Sequence, residues 1–186
     1  RNADNGGPTV LTGQSTYKGE TQVVVGRLVL SGGADRLPTN TVVRVGNGSN
    51  VAWATLDLNG QDQTVEGIQQ FGTTMDRKIA NWASNQVATL TVNTWKADYT
   101  YSAFLDGNLN LTKAGTNTLT LTAATGNNFY GQTYVREGAL VLQTPLAIGS
   151  STFNTGDGAT GLIGFHTNTV INFGGLVGTN DLVLTN

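Results

Sequence analysis

Between Leu109 and Leu142 apolar and polar residues alternate in short runs, LNLT, LTLT, QTYV and ALVL. Leu109 and Leu111 alternate with Asn110 and Thr112, Leu119 and Leu121 with Thr120 and Thr122, and Leu140 and Leu142 flank Val141. A period of two places the leucines on one buried face and the threonines on the other, the signature of a half-buried strand. Gly115, Gly126, Gly131 and Gly138 separate the runs where the backbone must turn. No window carries apolar residues at helical spacing, so the pattern predicts an all-β chain.

The rest of the chain repeats this design. Tyr17, Gly19, Thr21, Val23, Gly26, Leu28, Val29 and Leu30 match Phe129, Gly131, Thr133, Val135, Gly138, Leu140, Val141 and Leu142 at one constant offset of 112 residues. An internal repeat of this kind decides the architecture before any single residue does. Further strands are expected in 37–45 (turning at Pro38), 54–60, 63–68, 87–93 and 95–105, with two more in 162–173. The segment 69–80 is irregular and charged and is expected to bulge out as a loop. Leu176, Leu182, Leu184 and Thr185 resemble Leu105, Leu109, Leu111 and Thr112 with two residues inserted. The organisation predicted is an extended N-terminal arm over residues 1–8, then a solenoid over 9–186 made of two unequal repeats, about 9–112 and 119–185.

Short strands at regular spacing without a hairpin signal at each bend favour a single-stranded parallel β-helix, in which each coil pairs with the coils above and below it. A β-sandwich has similar strand spacing and is the alternative. The constant-offset repeat favours the solenoid.

The runs 105–122 (LDGNLNLTKAGTNTLTLT), 130–142 (YGQTYVREGALVL) and 54–67 (ATLDLNGQDQTVEG) resemble the autotransporter-associated β-strand repeat, the passenger-domain repeat of bacterial autotransporters. The resemblance covers about residues 9–186. It implies a right-handed parallel β-helix, exported by Gram-negative bacteria and secreted or displayed on the cell surface. The family's repeat carries no catalytic residues, so none is carried over. Such proteins are usually far longer and end in a membrane barrel, which is not seen here. The expectation is a fragment, a processed product or a small relative.

Composition narrows the function. Only 12% of the 186 residues are charged, about half the usual share, and the net charge is −2. No basic run tracks a phosphate backbone, which argues against nucleic-acid binding. There are no cysteines, so disulfides and thiolate metal sites are excluded. No segment has the ~18 apolar residues of a membrane helix, and no apolar signal-peptide core opens the sequence. The form expected is therefore a mature or excised one if the chain was exported.

Candidate chemistry is sparse, and no catalytic, cofactor or metal residue is expected. Parallel β-helices that cleave polysaccharides need clustered carboxylates. The best group here is Asp57, Asp62 and Glu66, read as a strand residue and two turn residues. Asp157 alone is too little for a calcium loop. His166, the only histidine, has no triad partners and is expected on a strand face. The triplets at Asn47 and Asn110 match the glycosylation signal without meaning in a bacterial protein. Trp95, Tyr99 and Tyr101, all odd-numbered in one expected strand, either close the core or form an aromatic platform for glycans or a partner surface. Trp53 and Trp82 show no such pattern.

Thr185 corresponds to Thr112 and Thr9 to Leu119, so the last repeat stops where the first would resume. Solenoid ends carry unpaired backbone groups. Pro8, Thr9, Val10 and Leu11 at one end, with Leu182, Val183 and Leu184 at the other, are candidate assembly ends. Head-to-tail stacking with a second copy would propagate into a fibre, and residues 1–8 could be the exchanged segment. The alternative is a boundary cut from a longer passenger. Two functions remain open: a non-enzymatic structural or adhesive rod, and a carbohydrate-binding or carbohydrate-cleaving β-helix.

Overall fold

A computed structural model describes residues 7–48, 53–72, 76–123, 125–156, 158–168, 170–182 and 184–185. Every strand pairing is parallel, and no helix occurs among the described residues. The strands stack as a β-solenoid of about seven turns.

The coil has three faces, visited in a fixed order. Numbered in chain order, face 1 holds β1 (Thr9–Leu11), β3 (Gly26–Leu30), β5 (Ala54–Asp57), β8 (Arg77–Asn81), β11 (Phe104–Gly107) and β14 (Asn128–Phe129). Face 2 holds β6 (Gln63–Val65), β9 (Ala88–Asn93), β12 (Leu109–Ala114), β15 (Gln132–Val135), β17 (Ile148–Asn154) and β19 (Phe173–Val177). Face 3 is two sheets: β2 (Thr21–Val23), β4 (Val42–Val45) and β7 (Gly67–Gln70), then β10 (Tyr99–Tyr101), β13 (Thr118–Leu121), β16 (Ala139–Leu142), β18 (Leu162–Gly164) and β20 (Leu184–Thr185). Partners one coil apart are separated by 19 residues at the shortest, Thr9 to Leu28, and 28 at the longest, Gly26 to Ala54.

Inward-pointing residues stack in rows along the axis. On face 1 the row Leu56–Ile79–Leu105 is fully buried. On face 3 Leu119 stacks on Leu140 and Leu121 on Leu142, all without solvent exposure. Each leucine removed from water contributes about 1.5–3 kcal/mol, and a row of them commits its strand to one register, since a slip of one residue would turn every leucine outward.

The corners are tied by side chains. Asn81 Oδ1 accepts from the Gly60 amide at 2.8 Å while its Nδ2 donates to the Gln86 and Asn108 carbonyls at 2.7 and 2.6 Å. Asn127 accepts from Leu105 N at 2.7 Å and donates to the Ala147 carbonyl at 2.7 Å. Such amides satisfy backbone groups that a corner takes out of the ladder, which would otherwise be left unpaired in the interior.

Several expectations change. The segment 69–80 is no bulging loop. Gln69 and Gln70 end β7, residues 77–80 lie in β8, and only 73–75 fall outside the described residues. Arg77 is wholly buried in an inward row and donates to the Phe71 carbonyl. Gly46 and Gly72, at φ of 101° and 93°, leave the space its guanidinium fills. Residues 63–68 are two strands, broken by a corner of one residue, Glu66. Residues 95–98 are a corner, not strand, and β10 and β11 follow it separately. His166 is at a turn with φ of 49°, not on a strand face.

The two corner lengths explain the split in face 3. One residue joins β6 to β7, but five join β9 to β10, so β10 arrives out of step with β7 and does not pair with it. Tyr99 packs instead on Gly67, where a Cβ would come within 2.5 Å of the ring. Gly67→Ala should therefore cost ~1–3 kcal/mol in urea denaturation, and Tyr99→Leu in the same chain should recover much of it.

Lys113 occupies the inward row Val65–Val92–Lys113–Val135. Its ammonium donates to the carbonyls of Ala114, Gly115 and Glu137 at 2.8, 2.8 and 3.0 Å. Burial lowers its pKa to about 8, with Glu137 and Asp98 opposing the shift. Below that pH both folded and unfolded chains hold the proton. Above it the unfolded chain holds more, so stability rises with pH until the unfolded lysine titrates. Tyr101 acts oppositely. Its phenol is wholly buried, with a pKa raised by burial, so stability falls once unfolded tyrosines ionise near pH 10. The denaturation midpoint should rise between about pH 8 and 10 and then turn down, and Lys113→Met should remove the rise.

A candidate binding face around Trp53 and Trp82

The outward positions of face 1 form two rows. One is Arg27–Thr55–Lys78–Phe104 and the other Val29–Asp57–Ala80–Asp106–Asn128. Alternation carries the same outward direction one position before β5, to Trp53, and just past β8, to Trp82. Both rings are exposed, Trp53 at 39% and Trp82 at 41%.

Trp82 is fixed at several points. Its amide donates to Asp57 Oδ1 at 3.2 Å and its indole Nε1 to Asp106 Oδ2 at 2.8 Å. The Arg27 guanidinium lies 4.9 Å and the Lys78 ammonium 5.7 Å from the ring centroid, within cation–π range. Asp57 is fully buried and accepts from Arg27, the Asn59 amide and the Trp82 amide. Asn128 Nδ2 reaches Asp106 Oδ1 at 3.2 Å, and Lys78 pairs with Asp76 at 3.4 Å. Arg27 pairs with Asp57 and Lys78 with Asp76, Asp106 is held by the neutral groups of Trp82 and Asn128, and Thr55 and Ala80 are covered, at 1% and 0% exposure.

The other candidates are dispersed. Tyr99 and Tyr101 point into the core at 8% and 0% exposure, whereas Trp95 stands on the preceding corner at 54%, with Lys96 Nζ 4.5 Å from its centroid. The three rings share no face. Burial and the neighbouring Glu66, on which the hydroxyl donates, raise the Tyr99 pKa.

Asp57, Asp62 and Glu66 do not converge. Asp57 lies under Trp82, Asp62 accepts from the Thr89 amide between faces 1 and 2, and Glu66 is buried between faces 2 and 3, accepting from the Lys96 amide and Tyr99. Asp157 and Val183 lie outside the described residues. His166 Nδ1 lies 3.0 Å from the neighbouring Thr167 hydroxyl. Asn110 points outward from β12 and accepts from the Gln132 amide at 2.7 Å.

At the candidate assembly ends, Pro8 is exposed, and Thr9, Val10 and Leu11 form β1, which pairs on one side with β3. Leu182 packs on the core, and Leu184 begins β20, which pairs on one side with β18.

No family model, curated protein or solved structure matches this chain.

Asp57 underpins the face. Asp57→Ala leaves two amides and Arg27 without their acceptor. The expected loss, near the lower end of the ~3–5 kcal/mol for breaking a buried pair because Arg27 is part-exposed, is read from urea denaturation. The emission of Trp82 should shift to the red in the same variant.

Proposed function

We propose that this chain is a non-enzymatic structural or adhesive element, a stretch of stiff rod displayed outside the cell, secreted or on a bacterial surface. The observation that carries the reading is the parallel ladder, in which β1, β2, β19 and β20 each pair on one side among the described residues. Inward rows run out to these edges. Leu176, which stacks on the core residue Phe153, is 60% exposed. A free edge above an open apolar row is a template for another coil.

The occupant proposed is a second copy of the chain, stacked head to tail. A contact of that kind does not close on itself and so builds a fibre. The low charge and the Thr- and Asn-bearing outer rows of face 2 suit a surface that faces water without ionic partners. The resemblance of 54–67, 105–122 and 130–142 to the autotransporter repeat supports export. The placement of Asp57, Asp62 and Glu66 lends no support to acid–base cleavage of a polysaccharide.

Electron microscopy of the purified chain at high concentration should show unbranched fibres of one width, and Leu176→Lys should shorten or abolish them. Monodisperse particles at every concentration would remove the self-stacking part of the proposal. Protease accessibility on intact source cells checks the location: a chain cleaved only after lysis is not displayed.

A further inference from the structure

We infer that the outward surface of face 1 between Trp53 and Trp82 binds a linear, neutral polysaccharide, laid along the strand direction with a sugar ring stacked on each indole. The inference is independent of fibre formation, since Trp53 and Trp82 flank β5 and β8 and are separate from the end strands β1, β2, β19 and β20.

Three features point to this occupant. The first is the pair of rings. Trp53 and Trp82 point outward from neighbouring strands, and the register Ala54–Arg77 sets Trp53 level with residue 76. Six positions then separate their backbones, about 20 Å at the rise of an extended strand, and the Trp82 ring leans back to Asp106, level with Ala80, so the two rings stand closer than that. The C–H face of a pyranose is apolar and flat, and an indole exposed to about two-fifths, as both are here, offers it a matching surface.

The second is the pairing of the charges. Arg27 is bound to Asp57, Lys78 to Asp76, and Asp106 to Trp82 and Asn128. Both cations are paired and Asp106 leaves the face one net negative charge, so nothing here selects a phosphate or a carboxylate, which excludes nucleic acid on the same ground. What remains available is fixed hydrogen-bonding capacity at the part-exposed Arg27, Lys78 and Asp106 and the exposed Asn128. Sugar hydroxyls both donate and accept, so they can use both kinds of group.

The third is preorganisation and relief. The Trp82 ring is already held by its Nε1 bond and two cations, so ordering it on binding costs little. Thr55 and Ala80 are covered, at 1% and 0% exposure, so what a polymer would meet between the rings is the part-exposed side chains of Arg27 and Lys78.

The test is affinity electrophoresis of the full chain through gels containing hydroxyethylcellulose, xyloglucan or galactomannan, with polygalacturonate and alginate as anionic counterparts. Tryptophan fluorescence is titrated in parallel. At least one neutral polymer should retard the chain and change its emission. Trp53→Ala and Trp82→Phe should each weaken that retardation about tenfold, and Trp95→Ala, outside the face, should leave it unchanged. Trp53→Ala keeps the test decisive if Trp82 variants fold poorly, because the Trp82 contacts to Asp57, Asp106, Arg27 and Lys78 do not involve Trp53. The inference is overturned by retardation with no neutral polymer, by binding to the anionic polymers alone, or by equal loss in Trp95→Ala. A concentration-dependent sedimentation coefficient abolished by Trp53→Ala would also overturn it, by giving the face to a second copy of the chain.

Discussion

The whole molecule depends on keeping one coil in register with the next. A parallel ladder rewards only the alignment in which the inward rows stack, and with a side-chain period of two the nearest wrong alignment is a complete inversion. Coil length nonetheless varies from 19 to 28 residues. The variation is taken up at the corners, and the corners hold most of the unusual chemistry: the one-residue corner at Glu66, the five-residue corner at 94–98, and the amides of Asn81 and Asn127 that close orphaned backbone groups.

The same constraint accounts for charge in the interior. An inward row that reaches a corner meets carbonyls turned out of the ladder, and a leucine there would leave them unsatisfied. Lys113 replaces an apolar residue at such a point and binds three carbonyls, and Arg77, also in an inward row, donates to the Phe71 carbonyl. Hydrogen bonding offsets part of the desolvation of each cation. The lowered pKa of Lys113 is the part that is not offset. Asp57 is the outward version of the same device, with Trp82 as its roof.

How much of this could be read in the sequence depends on whether the information was local. Alternation within one run sufficed for β12, β13, β15 and β16, which match the runs LNLT, LTLT, QTYV and ALVL closely, and for the buried leucines on them. It failed where a corner is short. In 63–68 the inward residues are Gln63, Val65 and Ile68, so the period slips by one at Glu66, and that slip is the corner. It failed again for Trp95, Tyr99 and Tyr101, because odd numbering is meaningful only inside a single strand and residues 95–98 are not one. Trp53 and Trp82 were beyond any local reading. Their shared direction exists only through the pairing of residues 23 apart in the chain.

The internal repeat shows the same division between shape and surface. The positions matched at an offset of 112 do not fall on matching faces. Thr21–Val23 is strand β2 of face 3, but Thr133–Val135 belongs to β15 of face 2, and Leu28–Leu30 of face 1 matches Leu140–Leu142 of face 3. What recurs is a strand, a glycine corner and a second strand, with Gly26 and Gly138 both at positive φ, 82° and 66°. That unit fits any two consecutive faces, because all three present the same demand to the core: an apolar residue inward at every second position. Outward residues carry no such demand. Arg27, bound to Asp57 under Trp82, has Ala139 as its counterpart on another face. A repeat therefore transmits the rod and leaves its surface free to diverge, so any binding specificity must be sought in residues where the copies differ.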